Sequence, residues 1–129
     1  LAQKLQQTSR RLVLAESCTA GLISATLGRV AGISAHFCGS AVVYRDLTKV
    51  AWLDVDEQQL AEVSAVSPFA TTEIARSVLQ STPEANVSLG ITGHFGPDAP
   101  DSLDGAVFWA TYYRNADQIE AGSSGRWPG

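Results

Sequence analysis

The polar run Glu16-Ser17-Cys18-Thr19 follows directly on four apolar residues, Leu12-Val13-Leu14-Ala15, and precedes apolar residues at helical spacing. A strand ending there and a helix starting there would set Ser17 among unsatisfied backbone N–H groups at the positive end of a helix dipole. Such a place favours a bound anion or a developing oxyanion, and so suits a serine nucleophile. The plainer alternative is that Ser17 or Thr19 caps the helix. Cys18 competes for the same role, because a thiolate at a helix N-terminus is activated in the same way; its alternative is an inert buried thiol.

Lys49 is one of only two lysines and lies five residues past Tyr44, near the start of a predicted short helix, where the dipole disfavours its charged form. A lysine of lowered pKa serves a serine as general base, and a tyrosine relays the proton or steadies the oxyanion. Lys49 also reads as a solvated surface lysine, and Tyr44 as an ordinary strand residue. The turn at Thr92-Gly93, with Gly96, offers a hydroxyl and backbone amides to a phosphate or is an ordinary turn. Arg126 can grip a phosphate bidentately or be solvated. The two histidines, His36 and His94, form no recognisable metal set with any Asp or Glu, so no metal and no cofactor are expected.

The elements that must position these residues follow from periodicity and punctuation. Residues 1–7 carry Leu1 and Leu5 at i, i+4, the end of an amphipathic helix. The run 12–15 is a strand buried on both faces. Thr19 caps a helix carrying Leu22, Ile23, Thr26, Leu27 and Val30, stopped by Ala31-Gly32. A second strand covers 38–44, a short helix 48–53, and a further helix starts at Asp56, where Asp56 and Gln59 have capping-box spacing. Ser67-Pro68 opens a helix running to about Gln80. Residues 86–91 form a strand that breaks at Thr92, a Pro- and Asp-rich loop reaches Asp104, and 106–113 is the last strand. The tail from Gly122 to Gly129 has a flexible composition. This alternation implies one layered α/β domain with helices on both faces of the sheet. Its ligands belong beyond the carboxyl ends of the strands, where Ser17, Tyr44 with Lys49, and Thr92-Gly93 converge.

Composition narrows the function. The chain has 129 residues, 45% hydrophobic and 17% charged, with a net charge of −4, so it is a compact domain with no basic field for nucleic acid. No apolar run reaches the roughly 18 residues of a membrane span, and the first residues lack a signal peptide's apolar core, so no membrane partner and a cytoplasmic location are expected. Two cysteines, Cys18 and Cys38, suit a reducing compartment. With no Met anywhere, the sequence is expected to be part of a longer chain.

Five ordered motifs resemble the C-terminal domain of competence/damage-inducible protein CinA. They are Ala15-Glu-Ser-Cys-Thr-Ala-Gly21, Val43-Tyr44 with Lys49, Ala65-Val66-Ser67, Ile91-Thr92-Gly93 with Gly96-Pro97, and Gly105-Ala106-Val107. The resemblance spans residues 12–110 and implies a single domain over 1–129 that lacks the family's last helix. It implies a three-layer α/β/α sandwich with a mixed, mostly parallel sheet, assembled as a homodimer. The family includes nicotinamide mononucleotide deamidases, which release ammonia and nicotinate mononucleotide from a small-molecule nucleotide substrate. By the same resemblance Ser17 is the nucleophile, Lys49 its base, Tyr44 the assisting tyrosine, and Thr92 part of the substrate and oxyanion site. Glu16, Cys18, Thr19, Gly21, Gly93 and Arg126 complete the substrate-binding set, and the amides of Ser17, Cys18 and Thr19 serve the oxyanion.

The chain departs from the family pattern in places. It reads Thr19-Ala20-Gly21 where the family has Thr-Gly-Gly, and Gly93-His-Phe-Gly-Pro97-Asp-Ala-Pro100 where the family loop is smaller. The approach to the last strand and the arginine segment at Gly125-Arg126 match only loosely. An amidase is therefore one expectation, a nucleotide-binding module without turnover its alternative, and a Cys18 thiol amidase a third.

Overall fold

A computed structural model of the chain describes residues 1–115 and 118–124. Five strands, β1 (Leu12–Glu16), β2 (Phe37–Val42), β3 (Val87–Gly93), β4 (Val107–Tyr113) and β5 (Gln118–Ser124), make one sheet in the order β2-β1-β3-β4-β5. β1 runs parallel to both β2 and β3, whereas β3–β4 and β4–β5 are antiparallel. The sheet is mixed as expected, but mostly parallel only in direction: every strand except β4 points one way, while the pairings divide evenly.

Five helices flank the sheet: α1 (Ala2–Thr8), α2 (Leu22–Leu27), α3 (Asp46–Leu53), α4 (Glu57–Val63) and α5 (Pro68–Gln80), with a 3-10 turn at Ile33–Ala35. All five residues of β1 are buried, because the strand lies between two others and under two layers of helix. Its side chains alternate. Leu12 and Leu14 join Leu5, Leu27 and Ile33 in one core, and Val13 and Ala15 join Val43, Leu53, Leu60 and Ile74 in the other. This period of two makes the chain a three-layer sandwich.

The cap signals behave as local chemistry predicts. The Asp56 carboxylate accepts from Gln59 N at 2.7 Å and Ser67 Oγ accepts from Ala70 N at 3.1 Å. Arg114 closes the far end of α5 by donating to the carbonyls of Leu79 and Thr82 at 2.6 and 2.8 Å. The helix lies hard against β3: a Cβ on Gly90 would stand 2.7 Å from the Thr71 carbonyl oxygen, so only glycine permits the approach.

Several elements differ from the sequence reading, α3 among them, which starts at Asp46 and not at residue 48. α2 ends at Leu27 rather than near Val30. β2 begins and ends earlier, although Val43 N still donates to Glu16 O at 2.8 Å. β3 does not break at Thr92; Thr92 and Gly93 pair with Phe108 and Val107, so β4 supplies partners that local turn signals cannot reveal. β5 was unexpected, since 106–113 was read as the last strand and residues from Gly122 on as a flexible tail. An edge strand needs only its backbone pairing, and Gly122 there leaves room for the Trp109 ring, which its Cβ would meet at 2.5 Å. Residues 125–129, including Arg126, lie outside the described residues.

Candidate functional site

The carboxyl ends of β1, β2 and β3 open together onto one cavity of about 400 Å³. β1 delivers Ser17 and Cys18 to it, the segment between β2 and α3 delivers Tyr44, the start of α3 delivers Asp46 and Lys49, and β3 with the residues after it delivers Gly93, His94 and Phe95. The remaining wall, from Leu60 and Ala61 of α4 to Ser64, Ala65 and Val66, carried no assigned role in the sequence reading. Those residues enter the site because α4 and α5 turn back over β1, a tertiary event without a local signature.

Ser17 stands in a turn, not at a helix N-terminus as expected. α2 starts five residues later, with Gly21 as its N-cap and no capping side chain there. Thr19 is no cap either, because its hydroxyl donates to Glu16 Oε2 at 2.7 Å. The anion at the start of α2 is the protein's own. Glu16 Oε2 accepts from Ile23 N at 3.0 Å, and Oε1 accepts from Ser24 N at 2.9 Å and Ser40 Oγ at 3.1 Å. Burial pushes the Glu16 carboxyl up, but hydrogen bonds from Thr19, Ser24 and Ile23 outweigh it and hold it below the usual glutamate value. A fully buried carboxylate therefore ties β1, the Ser17 turn, α2 and β2 together.

The backbone of the turn is equally committed. Ser17 N donates to Ile91 O at 3.1 Å, which withdraws it from the expected oxyanion donors, and Ala20 N donates to Ser17 O at 3.0 Å. The amides of Cys18 and Thr19 bear on the Cys18 thiol. Ala20 holds φ at 49°, left-handed backbone that an alanine adopts at a cost.

Lys49 is 1% exposed, which removes the reading of a solvated surface lysine. It lies in the second half-turn of α3, and burial rather than the dipole is the main force pushing its ammonium below the usual lysine value; Asp46 works against the shift. Its Nζ donates to the Tyr44 carbonyl at 3.3 Å and stands 3.6 Å from Asp46 Oδ1. Tyr44 thus holds the amine through its backbone, while its own side chain is exposed at the cavity rim.

Burial raises the Cys18 thiol above its usual value and Glu16 adds to the shift, with the Cys18 and Thr19 amides and Lys49 only partly opposing. This is the opposite of an activated thiolate. Cys18 presses on Gly93, where a Cβ would lie 2.8 Å from its sulfur. Thr92 is fully buried and does not line the cavity. Its hydroxyl is 2.7 Å from that of Thr71, whose proton goes to Ser67 O at 2.6 Å, so Thr92 donates to Thr71 and braces β3 against α5. Of the residues singled out from sequence, the structure brings Ser17, Cys18, Tyr44, Lys49 and Gly93 to the cavity, while Glu16, Thr19, Gly21 and Thr92 stand behind it. His36 lies elsewhere, its Nδ1 3.0 Å from Arg10 O. Among the described residues no helix is long and apolar enough to cross a membrane.

A family model, the CinA C-terminal domain, matches residues 1–123. A CinA-like protein of Geobacter metallireducens is 37% identical over 127 residues, covering 97% of this chain and 30% of its own length. A CinA-like protein of Desulfotalea psychrophila is 38% identical over 123 residues, covering 94% of this chain and 30% of its own. Among solved structures, a competence-damaged protein (CinA) superfamily protein of Klebsiella pneumoniae 700603 superposes with a TM-score of 0.89 at 32% identity, over 99% of this chain and 79% of that one. A superfamily protein from Escherichia coli gives 0.88 at 29% identity, over 98% of this chain and 73% of that one. The chain spans 29–30% of the length of the curated relatives named here and of those most like them. By fold, motif order and sequence alike, the chain belongs to the CinA C-terminal domain family.

Proposed function

We propose that the chain is an amidohydrolase that converts nicotinamide mononucleotide to nicotinate mononucleotide and ammonia, with Ser17 as nucleophile and Lys49 as base. The observation that carries this reading is one cavity lined by a serine hydroxyl and a buried lysine whose ammonium is pushed down by desolvation. An amide is a poor electrophile, so the nucleophile must be activated and the leaving nitrogen protonated. Neutral Lys49 takes the Ser17 proton as Oγ bonds to the carboxamide carbon. The carbonyl electrons move onto oxygen, where the Cys18 and Thr19 amides, unlike those of Ser17 and Ala20, are not spent on a backbone carbonyl among the described residues and serve as donors. Collapse breaks the C–N bond, and the Lys49 proton leaves with ammonia. Water then attacks the acyl-serine ester, giving one proton to Lys49, which returns it to Ser17 as nicotinate mononucleotide departs.

The raised Cys18 thiol argues against a cysteine nucleophile. His94 and Phe95, which stand on the cavity wall, are the observation that favours the alternative of a binding module without turnover. The experiment is ammonia and nicotinate mononucleotide production from nicotinamide mononucleotide, with folded Ser17→Ala and Lys49→Ala proteins as controls. Turnover lost in both variants supports the proposal. Turnover that survives Ser17→Ala sinks it, and binding without hydrolysis by the unaltered protein turns the assignment to the binding module.

A further inference from the structure

Ser64 follows α4 directly and stands on the cavity wall. Its backbone is held at φ 80° and ψ 145°, a region glycine enters freely and a residue bearing a Cβ enters only under strain. Three hydrogen bonds hold it. Ser64 N donates to Leu60 O at 3.0 Å, Ser64 O accepts from Ser67 Oγ at 2.9 Å, and Ser64 Oγ accepts from Val66 N at 3.2 Å. The first two use only the backbone atoms of Ser64 and would serve glycine equally well. The third uses the side chain: it fixes the direction of Oγ and leaves the hydroxyl proton for another acceptor. A strained serine where glycine would fit, with an oriented hydroxyl and a place on the wall of the cavity that Ser17 and Lys49 also line, calls for a reason beyond folding.

We propose that Ser64 is a substrate-binding residue whose hydroxyl donates to an oxygen of the substrate outside the reacting carboxamide, on the sugar or phosphate of a nucleotide. The inference rests on the amidase reading of the same cavity. Ser64 sits on a different wall from the two segments that bring Ser17 and Lys49 to the cavity, so its bond is made equally in ground and transition states. Such uniform binding acts on KM and not on kcat.

Ser64→Gly separates the two consequences of this serine. Relief of the strain offsets loss of the Val66 N–H bond, so Tm stays within about 2 °C, while loss of the hydroxyl's bond to substrate raises KM for nicotinamide mononucleotide about tenfold with kcat within about twofold. Ser64→Ala keeps the strain and loses the hydroxyl, so KM rises without that offset in Tm. The acceptor follows from smaller substrates: a KM effect that persists with nicotinamide riboside places it on the sugar, and one confined to the mononucleotide places it on the phosphate. Unchanged KM in both variants, a loss in kcat instead, or an equal effect on free nicotinamide would overturn the proposal. If the unaltered protein releases no ammonia, the amidase reading fails by itself. Calorimetric titration with nicotinamide mononucleotide then decides on Ser64: a tenfold weaker Kd in Ser64→Gly supports its role, and an equal Kd or no binding to the unaltered protein refutes it.

Discussion

Glu16→Gln tests whether a buried carboxylate builds the turn that carries Ser17. The variant keeps the size of the side chain and one acceptor oxygen, but replaces the other oxygen with an NH2 group that only donates. With the amide nitrogen toward Thr19 and Ile23, the Thr19 hydroxyl can turn round to accept, yet Ile23 N–H then faces a donor. With the amide reversed, Ser24 N–H is the group stranded. Either orientation loses a charge-assisted bond, worth roughly 1.5–3 kcal/mol, and leaves a buried donor unmet, worth roughly 1–3 kcal/mol. The two costs overlap, so about 3 kcal/mol is expected, and α2 has no other side chain to cap it. At about 4 °C per kcal/mol for a chain of 129 residues, Tm falls by about 12 °C. Far-ultraviolet dichroism on heating reads the fall, with Ser40→Ala as a control that removes a single hydroxyl donor and costs about 1 kcal/mol. The pH dependence adds a signature. The folded carboxyl titrates below its unfolded value, so its contribution is complete above the unfolded pKa of about 4.3 and is lost as pH falls through the folded one. The gap between the two proteins therefore closes in acid. A Tm within about 3 °C of the unaltered protein at pH 7, or a gap that does not change with pH, would refute the role assigned to Glu16.

Two further outcomes follow from the same turn and from Lys49. Lys49→Met removes a fully buried amine, so at pH 7 the variant is more stable to urea though inactive; because the folded state binds fewer protons between the lowered pKa and about 10.4, the unaltered protein gains stability as pH rises through that window and the difference shrinks. A Met variant that is destabilised at pH 7, or a difference independent of pH, contradicts the burial argument. Ala20→Gly relieves a left-handed alanine at a cost of roughly 1–2 kcal/mol and gives back roughly 0.5–1 in unfolded-chain entropy, so Tm rises by about 2–4 °C; a fall shows that the turn depends on the methyl group.

What was legible in the sequence is what neighbours along the chain decide. The Ser67-Pro68 cap, the Asp56 and Gln59 pair and the doubly buried run of β1 each act within a few residues, and each is found where periodicity put it. The candidate residues Ser17 and Lys49 were visible by type, and the ends of parallel strands explained why they should meet. Their environments were not visible. Lys49 owes its lowered pKa to a core that forms only when α3 and α4 fold over β1, so a dipole argument from its place in a short helix reached the right direction through the wrong force. Thr92 and Thr71 are 21 residues apart, and only their contact shows that the Thr92 hydroxyl is spent on bracing the sheet.

The same distinction explains why Glu16 was assigned to the substrate and Ser64 to nothing. A glutamate after an apolar strand reads as a group offered to substrate, but its acceptors are filled by donors up to 24 residues away, and it orders the turn on which Ser17 stands. Ser64 reads as one more polar loop residue, because residue type does not carry a φ of 80°. Both show that this cavity's chemistry is divided. Groups that would react come from strand ends and are announced by type, whereas groups that hold them there are recruited across the fold and must be found by asking where each buried hydrogen bond goes.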